Sequence, residues 1–219
     1  MPQDSWDDYA QELNRFANLS VREDSGARLI RDLTGRDATV LVDPTLVLTA
    51  DEWRTVARRS ARPSCPYVLT YFLGTVSPNR AADIRRFAEL HSLVVVNLME
   101  RSSPAIYESG PSEFIDLIDN AECVFTDSFH GSVFSLLMET PVTIFDREDD
   151  IASMSSRLDT FARTFGLECR LYSKSGLQNA LSTDSYTQAH DALHAERRRF
   201  LEYLDKELAR VEAGNTGMS

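Results

Sequence analysis

Six consecutive residues, Thr126-Asp127-Ser128-Phe129-His130-Gly131, gather a carboxylate, a hydroxyl and an imidazole into one short polar turn. Cys123-Val124-Phe125-Thr126 reads as a buried strand leading into it, and the apolar run Val133 to Met138 as the helix that follows. A turn at the carboxyl end of a parallel strand is where open α/β sheets bind ligands. The helix it opens offers unpaired backbone N–H groups and a partial positive charge to an anion. His130 stands at that entrance, and histidine is neither a preferred cap nor a strong helix former, which favours a site role. Asp127 and Ser128 each suit a helix N-cap as well as a site, and Gly131 suits relief of crowding in the turn. The three polar groups do not make a hydrolase triad. They are too close for the extended base-to-nucleophile geometry, and no G-x-S-x-G elbow is present.

The other histidines have plainer readings. His91 ends a helix, where a cation is mildly favoured, and His190 and His194 share a helical face without a third metal ligand. No metal site is expected. Cys65, Cys123 and Cys169 are far apart and form no C-x-x-C pair, so neither a disulfide framework nor zinc is indicated and a reducing, cytoplasmic setting is expected. The formal charge of −11, from 34 acidic and 23 basic residues, argues against nucleic acid or an anionic membrane as the main partner. It leaves room for a small anion held by a few local groups. The 219-residue chain is 42% hydrophobic, enough for a real core, and no run approaches the ~18 apolar residues of a membrane span. The start, Met-Pro-Gln-Asp-Ser-Trp, lacks a basic and apolar leader, so no secretory signal is expected.

The elements that must position the turn follow from periodicity. Residues 5–18 read as a modestly amphipathic helix, then a strand from Leu19 to Glu23, a helix from Ala27 to Leu33 stopping at Gly35, and a strand from Thr39 to Val42. Thr49-Ala50-Asp51-Glu52 has capping-box spacing and opens a helix to about Ser60. Strands follow at Tyr67 to Leu73 and Leu93 to Leu98, the latter suited to burial on both faces. Ser77-Pro78 opens the helix between them, with Ile84, Phe87, Ala88 and His91 inward. The loop from Met99 to Gly110, with Tyr107 and Glu108, is long for a βα connection, which points to a functional role. Gly110-Pro111-Ser112-Glu113 opens the helix before the central strand. After it come a strand at Pro141 to Phe145, an acidic run Glu148-Asp149-Asp150 read as a solvated loop, and a helix capped by Ser155 or Ser156. A last helix from Ser185 to Val211 carries Tyr186, Ala189, Leu193, Phe200, Leu204, Leu208 and Val211 on one stripe.

Alternation at this spacing predicts a doubly wound, mainly parallel, Rossmann-like α/β sheet. The expected divisions are a helix and βαβ unit in residues 1–48, a Rossmann-like domain in 49–182, a long helix in 183–212 and a disordered tail in 213–219.

Three segments in this order resemble the polysaccharide pyruvyl transferase family: Ser20-Val21-Arg22-Glu23 with Ser25-Gly26, Asp43-Pro44-Thr45-Leu46 with Trp53, and Thr126-Asp127-Ser128-Phe129-His130-Gly131 with Phe134-Ser135. Gly110-Pro111 with Glu113-Phe114, and Ser156-Arg157-Leu158 leading to Phe165-Gly166-Leu167, match further parts, so the likeness runs from about Leu19 to Arg170. The resemblance implies transfer of pyruvyl from phosphoenolpyruvate to two hydroxyls of one sugar of a cell-surface polysaccharide, giving a cyclic ketal and phosphate. No cofactor is implied beyond that donor substrate. It also implies a fold like the GT-B glycosyltransferases, of which this chain matches the C-terminal part, with the site between domains. What precedes Leu19 is shorter than the usual first domain, which points to a truncated or naturally short form.

By the same resemblance His130 contacts the donor, pairs with its phosphate or carboxylate and acts as general acid. Arg22 is a bidentate anion holder, and Ser128 with the N–H groups of Phe129 to Gly131 completes the pocket. Asp127 orients His130 or serves as base, a structural cap being its alternative, and Arg157 reaches the same cleft or is a surface arginine at a helix start. For Arg22, a surface pair with Glu23 or Asp24 is the structural alternative. A nucleotide-sugar glycosyltransferase and a non-catalytic remnant or partner domain remain open as other functions, and a homodimer or partner chain fits exposed apolar surface on residues 5–18 or the last helix.

Overall fold

The computed structural model describes residues 5–148 and 152–215. It divides into two compact units, one built from the residues up to Val47 with those from Ala192 onward, the other from Leu48 to Asp191.

The first unit opens with α1 (Trp6–Asn14), β1 (Ser20–Val21), α2 (Asp24–Thr34), β2 (Thr39–Val40) and a 3-10 turn at Pro44–Leu46. β1 and β2 pair in parallel, Ser20 opposite Thr39, so strand, helix and strand form the expected βαβ unit. α1 stops short of residue 18, and the Arg36 guanidinium donates to Leu13 O in its last turn at 2.8 Å and to Phe16 O just beyond it at 2.7 Å. α2 begins at Asp24, whose carboxylate in the first turn suits the helix dipole, and ends on Gly35 at φ 70°.

The second unit continues with α3 (Ala50–Val56), β3 (Tyr67–Tyr71), α4 (Pro78–Leu90), β4 (Val94–Asn97), α5 (Pro104–Tyr107), α6 (Pro111–Asp119), β5 (Cys123–Thr126) and α7 (Phe129–Leu137). Then come β6 (Val142–Ile144), α8 (Ala152–Phe165), a 3-10 turn at Glu168–Arg170, α9 (Tyr172–Ser175) and the start of α10 (Tyr186–Asn215), whose residues from Ala192 onward belong to the first unit. The capping box of α3 is formed, Thr49 Oγ1 accepting from Glu52 N while the Glu52 carboxylate accepts from Thr49 N at 2.7 Å. Ser77 caps α4 with Pro78 at its first position.

The strands form one parallel sheet in the order β4-β3-β5-β6. Chain order and spatial order disagree at one place: β3 leads to β4 on one side, and β5 leads to β6 on the other. The loops leaving β3 and β5 therefore diverge, opening a crevice at the carboxyl edge. β3 and β5 form the middle of the core, with Val68, Leu69, Cys123, Val124 and Phe125 fully buried. Burial pushes the Cys123 thiol well above its ordinary range, which keeps it inert. Tyr67 and Tyr186 are buried phenols, raised in the same sense, and each donates its hydroxyl to a carbonyl, Leu117 O at 2.7 Å and Thr140 O at 2.6 Å.

Several expectations need correction. β4 is an edge strand, so Val94 and Val95 are 46% and 37% exposed rather than buried on both faces. The stretch after it holds α5, with Ile106 buried, instead of an unbroken loop. His91 lies on the exposed side as the C-cap of α4, its ring 4.5 Å from that of Phe87. α8 starts at Ala152, so Ser155 and Ser156 fall inside it rather than at its cap. Glu148 is not merely solvated, because its carboxylate accepts from the Ser77 N–H and, at 2.8 Å, from the Ser77 hydroxyl; Asp149 and Asp150 lie outside the described residues. In α10 only the first part of the stripe is buried. Tyr186, Ala189 and Leu193 lie in the interior while Leu204 and Leu208 are exposed; Val211 lies outside the side chains described. The helix runs on through Asn215, past the point where a tail was expected; residues 216–219 lie outside the described residues.

Candidate active site

Thr126 ends β5 and does two jobs at once. Its hydroxyl donates to Tyr71 O at 2.6 Å, tying the ends of β3 and β5 together, and accepts from the Ser128 N–H at 3.0 Å to shape the turn. Ser128, not Asp127, is the N-cap of α7, its Oγ accepting from Gly131 N at 3.3 Å. Gly131 is required by close approach: a Cβ there would lie 2.6 Å from Thr126 Oγ1. Its N–H is engaged by the cap.

His130 is the one residue of α7 that is not buried. Every neighbour from Cys123 to Phe129 and from Gly131 to Met138 faces the interior, so the fold presents this imidazole alone on the open side of the helix start. Its ring meets Phe129 edge-on at 5.4 Å, and the Arg157 guanidinium lies over the Phe129 ring, 5.8 Å from its centroid. Phe129 thus sits between His130 and Arg157 in contact with both. The sequence-predicted His130, Ser128, Phe129, Gly131 and Arg157 are brought to one place.

Asp127 is 1% exposed and faces the next loop over. One carboxylate oxygen accepts from Leu73 N at 2.7 Å and the other from Gly74 N at 2.9 Å. It clamps the loop after β3 to the loop after β5 across the crevice. The guanidinium of Arg147, just past β6, has Nε 3.6 Å from Asp127 Oδ2. Sequence reading passed over Arg147; the available signal was a cation directly after a buried strand, at the same edge as His130. Among the described residues no group of three or more His, Cys, Asp or Glu side chains is placed to hold a metal.

In the first unit Arg22 follows β1 and ion-pairs with Asp43, which comes after β2. Asp43 is 4% exposed and its other oxygen accepts from the Thr45 N–H at 3.0 Å and hydroxyl at 2.8 Å. The carboxylate that Arg22 engages is therefore across the βαβ unit, rather than only a neighbour in sequence. A cavity of about 350 Å³ lies beside it, lined by Arg22, Val21, Leu41, Pro44 and Phe200.

A model of the polysaccharide pyruvyl transferase family matches residues 7–149. The chain belongs to the polysaccharide pyruvyl transferase family. The match takes in α1, which the sequence reading left outside the likeness, and stops before the Ser156–Leu158 and Phe165–Leu167 segments. No curated protein and no solved structure matches the chain. Within the matched span, residues of the family segments contact one another inside each unit. Arg22 pairs with Asp43, and Trp53 packs edge-on against Phe134 at 5.0 Å, which in turn meets Phe114 at 5.8 Å. The α/β fold with its parallel sheet suits a transferase of this family, and among the described residues no helix is long and apolar enough to cross a membrane.

Proposed function

We propose that the chain transfers the pyruvyl group of phosphoenolpyruvate to two hydroxyls of one sugar residue, with the donor bound at the His130 turn. The observation that carries this reading is the placement of His130: an exposed imidazole on an otherwise buried helix start, at the switch point of a parallel sheet, in a chain of this family.

The chemistry needs few groups. A proton is delivered to the methylene carbon of the donor, and the first hydroxyl oxygen bonds to its C2 as that hydroxyl's proton is released. The C2–O bond to phosphate then breaks and the second hydroxyl closes the ring. One hydroxyl proton is balanced by the new methyl group and the other leaves on phosphate, so the products are a cyclic ketal and hydrogen phosphate. His130 in its protonated form supplies the proton at carbon, a role worth about 10²–10⁴-fold in rate. The α7 N-terminus, with the Ser128 hydroxyl, faces the negative charge of the donor. Arg157, across Phe129, adds a cation to the same face. Asp127 keeps the loop after β3 in place so that the crevice stays open. Arg22, in its own unit, is assigned anion binding beside the cavity at the end of β1, in exchange for part of its pairing with Asp43. The reading extends to a GT-B-type relationship of fold, a saccharide acceptor of cell-surface type and a cytoplasmic setting.

Calorimetry of phosphoenolpyruvate against the intact chain and His130→Ala tests this. Binding by the intact chain that is lost in the variant, with phosphate released only when a saccharide acceptor is added, supports it. A folded intact chain that ignores phosphoenolpyruvate but binds a nucleoside diphosphate overturns it.

A further inference from the structure

Two mostly buried arginines stand 3.6 Å from their carboxylates through Nε, Arg80 from Glu148 and Arg147 from Asp127, and they differ in what else they bond: Arg80 Nη1 donates to Asp146 O at 2.8 Å, whereas Arg147 Nε is left unpaired among the described residues. Arg54 meets Asp119 through Nε at 3.1 Å and Nη2 at 2.8 Å, Arg31 meets Asp37 through Nε at 2.9 Å and Nη2 at 2.6 Å, and Arg62 reaches Asp116 through Nε at 3.0 Å. Each comes within hydrogen-bond reach of its carboxylate through Nε, and Arg54 closes the two-oxygen fork as well. The Arg147 side chain is only 16% exposed, yet its Nε stands 3.6 Å from Asp127, beyond hydrogen-bond reach. That Nε is buried and makes no hydrogen bond among the described residues. A buried N–H left unpaired is costly, and a guanidinium whose only task was to neutralise Asp127 would close the gap as Arg54, Arg31 and Arg62 do.

The position explains the open fork. Phe145 N donates to Thr126 O at 2.8 Å, so the chain leaving β6 runs beside the chain leaving β5, and Arg147 follows two residues later at the edge that carries the His130 turn. We propose that Arg147 is an anion-binding residue of this crevice, holding a phosphate group, and that under the donor reading above this is the phosphate of phosphoenolpyruvate. It holds the leaving group, while Asp127 sets the height at which the guanidinium stands. Negative charge accumulates on that phosphate oxygen as the C2–O bond breaks, and a fixed cation there stabilises it. The inference rests on the proposed donor for its substrate, though the phosphate site itself is independent of that choice.

The test compares the full chain with Arg147→Gln and Arg147→Lys, titrated by calorimetry with phosphoenolpyruvate and separately with inorganic phosphate. Melting curves accompany each variant. Loss of one charge-assisted pair weakens binding of either ligand by about 10- to 100-fold in Arg147→Gln, while Arg147→Lys recovers at least part of the loss. A purely structural arginine predicts the reverse: a lowered melting temperature with ligand affinity unchanged in whichever variant folds. Should Arg147→Gln fail to fold, Arg147→Lys decides alone, because a phosphate-holding fork loses severalfold affinity with the point charge and a structural one does not. A parent chain that binds inorganic phosphate through Arg147 but not phosphoenolpyruvate removes the donor reading and leaves this one standing. A parent chain that binds neither, or a folded Arg147→Gln that binds both as the parent does, overturns it.

Discussion

Gly131 shows how little slack the turn contains. A methyl group there would press 2.6 Å from Thr126 Oγ1, a hydroxyl already committed to Tyr71 O and to the Ser128 N–H. Gly131→Ala should therefore lower stability by about 1–3 kcal/mol, and Thr126→Ala added to it should recover part of the loss. Thermal melts of the two variants check this, and an unshifted Gly131→Ala would mean that the helix start yields more easily than its contacts suggest. Asp127→Asn removes an acceptor from Leu73 N or Gly74 N, because an amide nitrogen cannot accept. A loss of about 1–3 kcal/mol is expected in the absence of any ligand, which distinguishes clamping from catalysis; an undiminished melting temperature with lost activity would return Asp127 to the reaction itself. At this scale the sequence was informative where residue type conflicts with local structure. His130 was legible because nothing about a helix start calls for imidazole. The tasks of Asp127 and Arg147 were not legible, since both depend on which loop lies alongside, and sequence spacing carries no information about that.

Among elements, α6 is joined to the connection before β3 through one carboxylate. Asp116 Oδ2 accepts from Ser60 N at 2.9 Å, Ser60 Oγ at 2.7 Å and Arg62 Nε at 3.0 Å. Burial alone would raise its pKa, but those hydrogen bonds with the Arg62 charge outweigh it and hold Asp116 below the usual aspartate value. A carboxylate depressed in the folded state contributes stability that is complete above its unfolded pKa, about 3.9, and that fades as pH falls through the lower folded value. Asp116→Asn should consequently melt well below the parent at pH 6, with the gap narrowing below about pH 4. A gap constant from pH 6 to pH 3 would show that the contact is not charge-dependent. The helices of this unit were readable from their caps: Thr49 with Glu52, Ser77 with Pro78, and Gly110 with Glu113 all form as their spacing implies. Strand burial was not so readable. Val94 and Val95 are as apolar as any central strand, and only the spatial order places them at the sheet's edge.

For the chain as a whole, the consequence of two compact units is unequal stability within one molecule. The unit from Leu48 to Asp191 holds the sheet of β4-β3-β5-β6 and side chains buried on every side, Val68, Leu69, Leu117, Val124 and Phe125 among them. The other is discontinuous in sequence, pairs two residues from each of two strands, and leaves Trp6, Tyr9, Phe16, Leu201, Leu204 and Leu208 at least 37% exposed. Its hydrogen bonds rest more on guanidinium contacts to carbonyls, Arg36 to Leu13 and Phe16 and Arg197 to Leu46, than on packed apolar surface. Such bonds are worth about 1.5–3 kcal/mol each at best and do not accumulate as burial does. Native-state hydrogen exchange of the intact chain should thus resolve two classes of amide. Those of β3 and β5 exchange only by global opening, and those of β1 and β2 exchange through a cheaper opening that urea barely promotes, as expected when little surface is exposed. If the amides of Val21 and Leu41 instead follow the same urea dependence as those of Leu69 and Val124, the chain opens as one cooperative body. Inorganic phosphate bound as proposed at the His130 turn would in that case slow exchange in both units equally rather than in the second alone.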